Sequence, residues 1–107
     1  AVNNLDEILK VKGIDCLMVV PGDLSQSMGP QYLGRGDHPD VMAVIEKAMK
    51  KIVAAGIATG STANENNIER WLDAGGRLFL CNYQGYINTG LKALQAKVAA
   101  RVAPRGR

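Results

Sequence analysis

The chain has 107 residues, 47% of them apolar, and a net charge of +3 at neutral pH. This length holds one hydrophobic core, and a complete (β/α)8 barrel of about 250 residues does not fit in it. The apolar share excludes a disordered chain, and no apolar run approaches the ~18 residues of a membrane span, so no membrane partner is expected.

Asn4 to Val11 reads as a helix: Asn4 and Glu7 have capping-box spacing, and Leu5, Ile8 and Leu9 share a face. No secretory signal is expected from these residues, and residue 1 is Ala rather than Met. A processed chain or a piece of a longer one is expected. Gly13 ends the helix, and Ile14 to Val20 follows as a nearly continuous apolar run. Such a run suits a parallel strand covered on both faces.

Pro21 to Pro39 is rich in Gly and Pro and reads as a long loop, a length that often carries function. His38-Pro39 then opens a helix to about Ala55, with Val41, Val44, Ile45, Ala48, Met49 and Ile52 on one stripe. Ile57 to Thr59 is a short strand. Thr62 and Glu65 form a second capping box for a helix to about Ala74, facing inward with Ile68, Trp71 and Leu72. Leu78 to Cys81 is a third strand, Asn82 to Asn88 a polar turn, and Thr89 to Val102 a final helix.

The order α-β-α-β-α-β-α predicts an α/β fold with a parallel sheet. Each helix ends at a glycine (Gly13, Gly56, Gly75), whereas each strand empties into a polar loop. The chemical end is therefore the carboxyl end of the strands, where parallel α/β folds bind ligands. Three strands leave two open sheet edges, so the chain reads more naturally as a slice of a larger sheet than as a free domain.

Arg101, Arg105 and Arg107 fall in a basic tail, residues 101–107, and the rest carries ten basic and ten acidic groups. With a neutral body and only five aromatic residues, no nucleic-acid partner is expected. Cys16 and Cys81 lie 65 residues apart in apolar stretches and read as buried free thiols, which fits a cytoplasmic location.

Asp23 is the strongest candidate for chemistry, because it follows the first strand at once in Val20-Pro21-Gly22-Asp23-Leu24-Ser25. On spacing alone two readings stay open. Asp23 is a divalent-metal ligand with the Gly22 and Asp23 N–H groups on a carboxylate, or it is an Asx-turn or N-cap acid. His38, the only histidine, reads as a helix cap. The serines lack a histidine at triad spacing, and no P-loop is present.

The run Gly13-Ile14-Asp15 through Val19-Val20-Pro21-Gly22-Asp23-Leu24-Ser25-Gln26-Ser27-Met28-Gly29 resembles the HpcH/HpaI aldolase family, as do His38-Pro39-Asp40-Val41, Ala55-Gly56 and Ala58-Thr59-Gly60. The likeness covers about residues 1–98. Val20 stands where the family usually has glycine, Gly22 where it has Ala or Ser, and Cys81-Asn82-Tyr83-Gln84 where it has G-x-D-x.

The resemblance implies one partial (β/α)8 barrel domain over residues 1–107: the end of helix five, then β6α6, β7α7 and β8α8, with the N-terminal half absent. It implies class II, divalent-metal-dependent cleavage of a 4-hydroxy-2-oxo acid to pyruvate and an aldehyde, in a homo-oligomer. Asp23 would be a metal ligand, and Gly22 and Asp23 would hold the substrate. Mg²⁺ or Mn²⁺ is the implied ion, with Co²⁺ a further candidate. A second ligand, a Glu, would lie before Ala1, so these residues alone are expected to be inactive. Two alternatives remain: another lyase or condensing enzyme of the pyruvate-binding superfamily, or a small non-catalytic α/β binding module.

Overall fold

The computed structural model describes residues 1–102. The basic tail expected over 101–107 lies, beyond residue 102, outside the described residues. A 3₁₀ turn at Val2–Asn4 leads into α1 (Leu5–Ile8), β1 (Cys16–Met18) and α2 (Pro21–Met28). A second 3₁₀ turn at Pro30–Tyr32 precedes α3 (Pro39–Ala54), β2 (Ala58–Ala63), α4 (Ile68–Asp73), β3 (Leu78–Cys81) and α5 (Tyr83–Ala99). The three strands form one parallel sheet in the order β1-β2-β3. The α/β class and the parallel pairing are as expected from sequence.

Four local expectations are corrected. Asn4 gives no side-chain cap, and Glu7 pairs with Lys10 at 2.6 Å instead of reaching back to it. The expected loop at Pro21–Pro39 contains α2, whose polar Ser and Gln positions hide its helical character. Pro21 suits the first helical position, because it has no N–H to leave unbonded and its φ is already helical. β2 runs on through Thr62 and Ala63, which pair with Leu80 and Cys81, so Thr62 caps nothing. Helix α5 starts at Tyr83, six residues earlier than expected from Thr89, because Asn82 Oδ1 accepts from the Gln84 N–H at 3.0 Å.

The core forms where α3 and α4 cover one face of the sheet. Val41, Ile45, Met49, Trp71 and Ala74 are buried together, and Ala48 and Ile52 extend the stripe to Leu5. Trp71 also donates its indole N–H to the Thr62 carbonyl at 3.1 Å, which ties α4 to the far end of β2. Burial on this face spares the apolar side chains of α3 from water, at roughly 25 cal/mol per Å² of apolar surface. The other side is different. β1 is only half-buried, not covered on both faces as its composition suggested, and most of β3 is exposed. Helix α5 buries no residue. Cys16 is half-buried and Cys81 exposed, both free, so the expectation of two buried thiols is wrong for Cys81.

Gly60 is buried in the middle of β2 and pairs with both Met18 and Leu78. A Cβ built there would overlap the Leu78 carbonyl oxygen. Gly60→Ala is therefore expected to spread the β2–β3 pair and cost about 3 kcal/mol, read by urea unfolding.

Glu46 of α3 accepts from Lys50 at 2.6 Å and from Arg70 of α4 at 3.0 Å, so it links two helices. The Lys50 hydrogen bond, then the Arg70 one, holds its carboxyl below the usual value. With the folded pKa depressed, this contribution is complete above the unfolded carboxylate pKa of about 4.3 and is lost as pH falls through the lower folded value. Thermal melts at about pH 7 and about pH 3 should show a wider gap for the native chain than for Glu46→Gln. Equal gaps would mean the triad contributes nothing.

Candidate functional site

The carboxyl ends of the strands carry the candidate site. β1 leaves the sheet at Val19, whose N–H still donates to the Gly60 carbonyl at 3.1 Å. Val20, in extended conformation, occupies the N-cap position of α2, and an apolar side chain cannot cap. Pro21 comes next and has no N–H. The Leu24 N–H donates to the Val20 carbonyl at 3.0 Å, the first internal bond of the helix. The Gly22 and Asp23 N–H groups lie between, and no described residue accepts from either. Both residues are exposed. A helix start with two free N–H donors is a ready anion site, with the helix dipole adding to the attraction.

Ser25 fixes this turn from below. It is fully buried, and its hydroxyl donates to the Gly22 carbonyl at 2.7 Å. The Gly22 carbonyl is thereby turned into the helix, which is consistent with an N–H facing out. Asp23 stands in the first turn, where a negative charge is favoured by the dipole. Its carboxylate has no hydrogen bond or ion pair with any described residue. It is neither the N-cap nor an Asx-turn acceptor, so the structural reading left open by the sequence is not the one observed.

Gly22 and Asp23 sit on either side of the end of β1. Gly22 lines a cleft of about 630 Å³ with Thr62, Asn64, Asn82 and Tyr86, across the ends of β2 and β3. Asp23 lines a groove of about 390 Å³ along the outer edge of β1, with Val2, Leu5, Leu17 and Leu24. Sequence reasoning did not single out the far wall of the cleft. There the Cys81 thiol beside Tyr86, with the Glu65 carboxylate near, pushes the Tyr86 phenol above its ordinary pKa. The only advance signal was position: Cys81 and Asn82 end a strand.

The structure separates His38 from this site. Its Nδ1 accepts from the Asp40 N–H at 3.2 Å, so it is the helix cap the sequence indicates. Among the described residues, no three His, Cys, Asp or Glu side chains come together as a metal site. Asp23 fits a hard divalent cation as one oxygen ligand of several, not as a complete set.

The HpcH/HpaI aldolase/citrate lyase profile matches residues 1–80. A hydroxypyruvate/pyruvate aldolase of Agrobacterium fabrum is 44% identical over 98% of this chain and 40% of its own length. A 4-hydroxy-2-oxo-heptane-1,7-dioate aldolase of Shigella sonnei is 45% identical over 70% of this chain and 28% of its own. The crystal structure of a family protein from Burkholderia cenocepacia, 29% identical, superposes with a TM-score of 0.76 over 91% of this chain and 38% of that one. The chain thus spans well under half the length of the relatives it matches, and its three parallel strands correspond to part of their barrel. On sequence and fold together, the chain belongs to the HpcH/HpaI aldolase/citrate lyase family.

Proposed function

We propose that these residues are the carboxyl-terminal part of a class II aldolase barrel, the region from the end of helix five through β8α8. The whole protein would cleave 4-hydroxy-2-oxo acids to pyruvate and an aldehyde. One observation carries the reading: two unbonded N–H groups, Gly22 and Asp23, and one unpaired carboxylate, Asp23, lie on a single turn at the carboxyl end of β1. The aldolase names of two relatives support it.

In this reading the Gly22 and Asp23 N–H groups hold the oxo-acid carboxylate, as free helix-start donors hold anions. The Asp23 carboxylate is one ligand of a divalent ion, Mg²⁺ or Mn²⁺ or Co²⁺. When bound, such an ion supplies Lewis-acid stabilisation of the charge that develops on the pyruvyl oxygen. Ser25 keeps the turn in register, so the donors need not reorganise as charge builds. The cleft beside Gly22 leaves room for the aldehyde portion between the ends of β2 and β3.

The remaining ligand would come from residues ahead of Ala1. The outer edge of β1 has no strand partner among the described residues, and Asp23 faces that edge. A neighbouring strand there would bring its last side chains toward Asp23. We place the protein in the cytoplasm, with two free cysteines in support. No helix of the described residues is long and apolar enough to cross a membrane. Ile87, Leu91, Leu94 and Val98 are exposed along α5, which supports a homo-oligomer.

In the protein at its natural length, Asp23→Ala should lower metal-dependent pyruvate release at least about a hundredfold. Unchanged turnover would leave Asp23 as an ordinary first-turn acid. The isolated 107 residues should show no turnover, and pyruvate release by them would refute the need for a ligand from outside.

A further inference from the structure

We propose that Gly36 is a positioning residue for the Pro21–Gly22 peptide, and that the segment 29–38 is a rigid backing for the turn holding the oxo-acid carboxylate. This rests on the reading of Gly22 as a carboxylate donor. A Cβ at Gly36 would lie 3.0 Å from Pro21 Cβ, 3.1 Å from the Pro21 carbonyl carbon and 3.3 Å from Gly22 N. The loop backbone therefore rests directly on the peptide that carries one of the two free donors. Gly36 has no positive φ, so space alone, not backbone freedom, makes glycine matter at this position.

The segment is pinned at both ends. Successive turns link Tyr32 N–H to the Gly29 carbonyl at 3.0 Å, Arg35 N–H to Tyr32 at 2.8 Å and His38 N–H to Arg35 at 3.0 Å. The Tyr32 hydroxyl donates to Asp40 Oδ2 at 2.8 Å, on the first turn of α3. The Tyr32 ring meets the His38 ring edge-on at 5.0 Å, and His38 caps the same helix turn. Tyr32, Leu24 and Met28 pack on the core that α3 builds. The backing is thus fastened to α3 and pressed on the start of α2. A donor aimed by a fixed peptide holds a carboxylate better than one that must be reoriented on binding.

The test uses the protein at its natural length. Pyruvate in the presence of Mg²⁺ is titrated calorimetrically, the amide resonances of Gly22 and Asp23 are followed by NMR, and KM and kcat are measured for the 4-hydroxy-2-oxo acid. Gly36→Ala should raise the pyruvate Kd and the KM about tenfold, leave kcat within about twofold, and move the Gly22 resonance. Lys47→Ala, an exposed change on α3 outside the backing, should leave all four unchanged. Unchanged Kd and KM in Gly36→Ala, or a loss in kcat alone, overturns the proposal. If Gly36→Ala does not fold, Tyr32→Phe carries the test, since it removes the bond to Asp40 without adding volume. A two- to threefold rise in Kd supports the backing role, roughly the worth of a neutral hydrogen bond felt at second hand, and an unchanged Kd overturns it. The unsubstituted protein separates the two levels. If it binds no pyruvate and releases none from the 4-hydroxy-2-oxo acid, the aldolase reading falls and this inference with it. Turnover by the unsubstituted protein, alongside unchanged pyruvate affinity in Gly36→Ala, overturns the role of Gly36 alone.

Discussion

The site depends on how β1 is held by β2. Thr59 and Ser61 are fully buried, and their hydroxyls donate to the Leu17 and Val19 carbonyls at 2.8 and 2.7 Å. These bonds add to the parallel ladder between Cys16–Met18 and Ala58–Gly60. A buried hydroxyl without a partner costs roughly 1–3 kcal/mol, so a displaced β1 would strand two hydroxyls at once. The short, half-buried β1 is thereby fixed at its last residues, the ones that aim Pro21-Gly22-Asp23.

The turn that follows is a consequence of what Pro21 lacks. A helix start has four N–H groups without internal partners. Here the four positions are Val20 to Asp23: Pro21 has no N–H to leave free, the first internal bond runs from Leu24 to the Val20 carbonyl, and inside the first turn Gly22 and Asp23 keep theirs unbonded. A polar side chain at the N-cap would have consumed one of them. Val20 cannot, so the apolar end of the strand keeps both donors available. Ser25 then stabilises the turn through the carbonyl of Gly22 rather than through its N–H. The bond from Ser25 thus leaves the Gly22 and Asp23 N–H groups without a partner.

Much of this was legible in the sequence because it follows periodicity. The α3 stripe, the burial of Trp71, the His38 cap and the parallel α/β order all come from apolar spacing and helix-end chemistry. Asp23 was visible as a carboxylate at a strand end. The failures share a cause. Thr62 and Glu65 have the spacing of a capping box, yet strand pairing with Leu80 and the Trp71 indole N–H hold Thr62 in β2. The polar residues of α2 form no apolar stripe, so the spacing predicts a loop there, and Asn82, a polar residue at a strand end, caps α5. In each case a contact distant in sequence, or a single side-chain bond, outweighed the local pattern. Ser25 lies within the stretch that carries the family resemblance, but its bond to the Gly22 carbonyl has no signal in apolar spacing.

The distribution of burial explains why the core and the site do not end together. α3 and α4 cover one face of the sheet, where Trp71, Ile45 and Met49 are fully buried. β3 adds to its ladder with β2 only the packing of Phe79 on this core, and Leu78 and Leu80 remain exposed. The outer edge of β1 is likewise without a strand, and the groove beside it is lined by Leu5, Leu17 and Leu24. Apolar surface therefore flanks the site on the two sides where a closed barrel would continue. The turn at Pro21, Gly22 and Asp23 takes its support from β2 and the loop before α3, both on the packed side. What approaches from the open side can then complete the site without having to build it.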